Sequence, residues 1–136
     1  MKNKHEIEGF LSKLGETEKL VLVEGVKDKK ALERLGVENI CCLNDKPLYE
    51  VVESVAANNK KVIILTDLDR EGRRLYGRLK TQLQAHGVEV DNYFREFLFR
   101  NTKLRQVEGL TALCPRNPRL AIIAERPVLV DFKEGE

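Results

Sequence analysis

Four short apolar runs, Leu20–Val23, Ile40–Leu43, Val62–Leu65 and Val88–Val90, each follow a segment with helical spacing. This alternation constrains the fold more than any other feature of the chain. Leu20–Val23 and Val62–Leu65 are continuously apolar, so these strands are expected to be buried on both faces, as in a parallel sheet. Ile7, Phe10, Leu11 and Leu14 fall at i, i+3, i+4 and i+7 of a first helix that Gly15 ends. Asp28 is expected to cap a second helix through Ala31, Leu32 and Leu35 that closes at Gly36. Pro47 suits the first turn of a third, carrying Leu48, Val51, Val52 and Val55 and ending at Asn58-Asn59. Leu75, Leu79 and Leu83 mark the core side of a long fourth helix that closes at Gly87. Strands that alternate with helices imply right-handed crossovers and a sheet covered on both faces.

A length of 136 residues is consistent with one domain. The balance of 24 basic against 22 acidic residues neither demands nor excludes a polyanionic partner, so the placement of charge must decide. No apolar run approaches the length of a membrane span, and residues 1–19 lack the apolar core of a secretory signal. Cys41, Cys42 and Cys114 are odd in number and form no C-x-x-C, which points to a reducing compartment and the cytoplasm. Beyond Asp91 the pattern weakens. Leu120–Ala124 and Val128–Val130 read as edge strands beside Pro115, Pro118 and Pro127. Residues 95–126 hold seven basic side chains against three acidic ones. The expected organisation is an N-terminal helix (1–17), an α/β core (18–92) and a basic extension (93–136) packed on the same domain.

Ligands of an open parallel sheet bind beyond the carboxyl ends of its strands. Glu24-Gly25 follows the first strand, and Thr66-Asp67-Leu68-Asp69-Arg70-Glu71-Gly72 follows the third. Four carboxylates thus stand just past two strand ends, where like charges repel. A hard divalent cation with oxygen ligands offsets that repulsion, and beside phosphates the usual ion is Mg²⁺. Asp67 and Asp69 are two apart, so in an extended segment both point to one side and can share an ion. Glu71 sits in the first helical turn, where the dipole favours an anion. Gly25 and Gly72 leave room for close approach of the backbone to a ligand.

VLVEGVKDKKALERLGV followed by VIILTDLDREGRRL resembles the Toprim domain of topoisomerases, bacterial primases, the nuclease that matures 5S ribosomal RNA, and the overcoming-lysogenization-defect nucleases. Small stand-alone Toprim proteins also exist, and this length is similar to theirs. The resemblance implies a compact, Rossmann-like three-layer α/β fold with about four parallel strands in the order 2-1-3-4. Glu24 would then face the aspartates across the switch point. It further implies that Glu24 is a general acid or base in phosphodiester chemistry. Asp67 and Asp69 would hold Mg²⁺ or Mn²⁺, as one or two ions, with Glu71 as the third acidic position of the topoisomerase form.

Tyr49, Tyr76 and Tyr93 lie within or beside the small domain, so a complete topoisomerase with a separate tyrosine-bearing region is not expected. The cysteines, His5 and His86 lack zinc-ligand spacing, which argues against a complete primase. Arg70, Arg74 and Arg78 recur on one face of the fourth helix, with Arg73 and Lys80 nearby. Such a face suits a phosphate backbone, although a solvated surface explains it equally well. Tyr93, Phe94, Phe97 and Phe99 are either stacking platforms for a strand or part of a core or dimer surface. The expected function is metal-dependent phosphodiester chemistry on RNA or DNA, carried out as a nuclease. The rivals are a non-catalytic nucleic-acid-binding module and a subunit of a larger assembly, with a protein partner or a second copy of the chain.

Overall fold

The computed structural model describes residues 4–113. Cys114, the two proline-flanked runs and the basic residues beyond position 113 lie outside the described residues. Helix α1 (Lys4–Gly15) leads into β1 (Leu20–Val23), α2 (Val26–Arg34), β2 (Ile40–Cys42), α3 (Leu48–Asn58), β3 (Lys61–Ile64), α4 (Arg70–Ala85), β4 (Glu89–Asp91) and α5 (Tyr93–Asn101). A 3-10 segment, Val107–Leu113, follows. The strands form one parallel sheet in the order β2-β1-β3-β4. Leu22 pairs with Cys41 on one side and Ile64 on the other.

The pleat divides the core into two layers, because successive strand residues point to opposite faces. Val21, Val23, Ile63 and Leu65 pack with Phe10, Leu11, Leu14, Leu32, Phe94, Leu98 and Leu110 on one face. Leu20, Leu22, Val62 and Ile64 pack with Val52, Val55, Leu79 and Leu83 on the other. This double burial explains why the central strands read as unbroken apolar runs. Full burial of a side chain of this size contributes about 1.5–3 kcal/mol, so β1 and β3 anchor the domain. Gly36 and Gly87 stand at φ of 99° and 82° just past α2 and α4, the left-handed turn expected at helix ends.

The expected fold class and strand order are observed. Three local expectations change. Asp28 is not the cap of α2: Gly25 takes that position, and Asp28 lies three residues on, accepting from the Gly25 N–H at 3.1 Å. Pro47 caps α3 from the position before its first turn. Residues 93–101, which carry no clear sequence pattern, form α5. Phe94 is buried there, and Phe97 stacks on Phe10 with ring centroids 4.3 Å apart, so neither is a free platform for a base. No helix among the described residues is long and apolar enough to cross a membrane.

Candidate nucleic-acid-processing site

The order β2-β1-β3-β4 sets the ends of β1 and β3 side by side. The chain leaves β1 at Glu24 and leaves β3 through Leu65 and Thr66 to Asp67. The Asp67 N–H donates to Glu24 Oε2 at 2.8 Å, which joins the two acidic motifs directly. Asp69 caps α4 by accepting from the Gly72 N–H at 2.8 Å through Oδ1. Asp67 Oδ1 accepts from the Val107 N–H at 2.9 Å. The Leu68 N–H donates to the Arg105 carbonyl at 2.7 Å. The extension after α5 therefore grips the acidic loop at two points.

Each of Glu24, Asp67 and Asp69 has one oxygen fixed by a backbone N–H, and among the described residues its second oxygen meets no hydrogen-bond donor. Burial raises the Glu24 carboxyl above its ordinary value; the charges of Asp67, Asp28 and Asp69 push the same way, against the Asp67 N–H. Asp67 is likewise raised by burial and by Asp69 and Glu108, while the Val107 N–H and Arg95 oppose the shift. Asp28 is raised by burial and by the charge of Asp67. Partly buried carboxylates that crowd one another and keep outward oxygens match the donor chemistry of a hard cation. Among the described residues no three acidic, His or Cys side chains are gathered into a ready-made cage. Mg²⁺ suits such a sparse set, because it retains several waters and needs only one or two carboxylates beside a phosphate.

Glu71 stands apart from this group. Its side chain is 81% exposed and pairs with Arg74 at 3.7 Å. Arg70, Arg73, Arg74 and Arg78 are all exposed on α4. The two glycines differ. A Cβ on Gly25 would meet nothing within 4 Å, whereas one on Gly72 would lie 1.9 Å from the Asp67 carbonyl oxygen. The space at Gly72 is thus taken by the loop itself and not kept for a ligand. Thr66 Oγ1 donates to the Gly72 carbonyl at 2.8 Å and fastens the same contact.

Sequence reasoning missed Arg95, Asp28 and Glu108 as parts of this site. Arg95 is only 7% exposed. Its guanidinium donates to the Thr66 carbonyl, to Thr66 Oγ1 at 2.9 Å and to the Asp67 carbonyl at 3.0 Å. It also lies 4.5 Å from the centre of the Tyr76 ring. Burial lowers its pKa, and nearby Tyr76, Glu24 and Asp67 hold it up. The available signal was its place between Phe94 and Leu98, which marks a helix face turned inward.

A parallel sheet in this order, with Glu-Gly after one central strand and Thr-Asp-x-Asp after its neighbour, defines a Toprim fold. Residues 19–99 match the Toprim domain family, and the chain belongs to it. It is similar to the UPF0292 protein of Pyrococcus horikoshii, 36% identical over 114 residues that cover 83% of this chain and 85% of the relative. The UPF0292 protein of Methanocaldococcus jannaschii is 34% identical over 102 residues, 72% of this chain and 80% of that one. A solved structure from Aquifex aeolicus superposes with a TM-score of 0.68 at 35% identity, covering 79% of this chain and 98% of that one. These relatives are themselves small, so the likeness extends over most of each chain.

Proposed function

We propose that this chain is a metal-dependent nuclease acting on RNA or DNA. The observation that carries the reading is the hydrogen bond from the Asp67 N–H to Glu24 Oε2, 2.8 Å long, which brings the two Toprim motifs into one site. Hydrolysis of a phosphodiester adds water to phosphorus, breaks the bond to the leaving oxygen and requires a proton at that oxygen. Glu24 is the residue assigned to that proton, with Oε2 fixed and Oε1 available. Asp67 and Asp69 would hold Mg²⁺ or Mn²⁺, and such an ion, when bound, supplies charge neutralisation at the phosphate. Glu71, exposed at the start of α4, would act at most through water. Arg70, Arg73, Arg74 and Arg78 present an exposed basic face next to the acidic loop and would hold the backbone without reading sequence. Cys41 and Cys42 are free thiols, which suits a place in the cytoplasm.

The test is cleavage of a labelled panel of single- and double-stranded RNA and DNA with Mg²⁺, Mn²⁺ or chelator. Wild type is compared with Glu24→Gln and with the Asp67→Asn/Asp69→Asn double variant. Metal-dependent cleavage that both changes abolish supports the reading. Salt-sensitive binding without cleavage by the wild type replaces it with a binding module. Activity that returns only with an added protein makes the chain a subunit.

A further inference from the structure

Behind the acidic loop lies a cavity of about 270 Å³ lined by Leu68, Arg73, Tyr76, Arg95, Glu96 and Phe99. It shares a wall with the catalytic loop, because Arg95 is bonded to the Asp67 carbonyl and Leu68 stands between the two aspartates. Its lining combines two aromatic rings, two guanidinium groups and one carboxylate. We infer that this cavity receives one unpaired nucleobase of the bound strand, so that the protein acts on single-stranded nucleic acid. The inference rests on the nuclease reading for its choice of ligand and adds the strandedness and the base contact.

Four observations point to a base. Phe99 is 49% exposed and meets the Arg105 guanidinium 5.8 Å from its ring centre, whereas its helix neighbours Phe94 and Phe97 pack into the core against Phe10, so hydrophobic packing accounts for only part of the ring at position 99. A base offers a π-face to such a ring, and every base can do so. The cavity is slightly smaller than the roughly 300–1,000 Å³ of sites for drug-sized ligands, which suits one base and not a stacked run. Glu96 can accept from an exocyclic amine, and Arg73, exposed on α4, is a cation for the phosphate attached to the same nucleotide. Bases inside a duplex are stacked and paired and present only their edges, so a cavity of this kind discriminates by strandedness.

The chain contains no tryptophan, so Phe99→Trp installs a single fluorescent reporter in the cavity wall. The F99W indole and wild-type affinities are followed in chelator, where nothing is cleaved. The probes are a single-stranded oligonucleotide, the same sequence as a blunt duplex, and the same strand carrying abasic positions. Single strands are expected to quench the indole saturably, and the duplex is expected not to. Phe99→Ala should weaken single-strand binding by roughly 5- to 150-fold, the range that corresponds to 1–3 kcal/mol per stacked base. It should leave duplex binding and the urea midpoint unchanged. The abasic strand should bind wild type about as weakly as the intact strand binds F99A. Equal quenching by duplex, or unchanged single-strand affinity in F99A, overturns the inference. Cleavage with no effect at position 99 rejects the base cavity alone. Quenching and an F99A defect without cleavage in Mg²⁺ reject the nuclease and leave the cavity standing. Absence of any binding rejects both.

Discussion

Arg95 offers the most direct test of how the acidic loop is held. Its guanidinium supplies donors to the Thr66 and Asp67 carbonyl oxygens, which meet no other donor among the described hydrogen bonds. In Arg95→Met the hydrocarbon stem is kept and both acceptors are stranded. Each stranded acceptor costs about 1–3 kcal/mol. Thr66 Oγ1 keeps its bond to the Gly72 carbonyl and adds nothing to the loss. Relief from burying a cation offsets part of the total, so the expected destabilisation is about 2–4 kcal/mol, a large share of the 5–15 kcal/mol typical of a domain. Urea unfolding reads this as a midpoint lowered by roughly 1–2 M at an ordinary slope. Arg95→Lys keeps the charge but offers a single donor head in place of a planar fork, and should recover only part of the difference. A midpoint for R95M within experimental scatter of wild type refutes this account of the loop, as does full recovery by R95K.

Further outcomes follow from the same geometry. Glu24, Asp28 and Asp67 all titrate above their ordinary values of 4.5, 3.8 and 3.8 in the fold, so the folded state binds their protons more tightly than the unfolded state does. In chelator the melting temperature should therefore fall as pH rises from those ordinary values through the raised ones, and Asp67→Asn should flatten that fall; a temperature that climbs across the window contradicts the assignment. Gly72→Ala should cost at least about 1–3 kcal/mol in thermal unfolding, because its Cβ would meet the Asp67 carbonyl oxygen at 1.9 Å, while Gly25→Ala, with nothing within 4 Å, should melt like wild type. Glu24→Gln should fold normally and retain oligonucleotide affinity within a few-fold while losing cleavage by about 100-fold or more, as removal of a proton-transfer group does; full activity in that variant ends the proton-transfer role.

The parallel core was legible because burial on both faces of β1 and β3 leaves no room for polar residues. The acidic site was legible for a related reason. Glu24 follows β1 directly and Asp67 lies three residues beyond the end of β3, so both fall just past the carboxyl ends of two buried strands. Arg95 was not legible. Its role depends on α5 folding back across the end of β3, and nothing in the Tyr93–Asn101 segment advertises where that helix lands. Phe94 and Phe97 stayed ambiguous between platform and core for the same reason, since an aromatic cluster reads alike whether it faces a ligand or Phe10. Gly72 illustrates a subtler limit. A glycine after an acidic loop signals close approach, but the sequence does not say that the approaching group is the chain's own carbonyl.

The bond from Val107 to Asp67 gives the order of synthesis a bearing on the acidic loop. A chain emerging from the ribosome completes the four strands well before residue 107 appears, and its sheet can assemble from what has been made. Until the segment after α5 arrives, Asp67 Oδ1 lacks its Val107 donor and the Leu68 N–H lacks the Arg105 carbonyl. A chain cut before residue 105 is expected to keep the residues of all four strands and to lose both of these tethers. The acidic loop therefore gains its last two backbone tethers only after residues 105–107 have been made, later in synthesis than every strand that carries it.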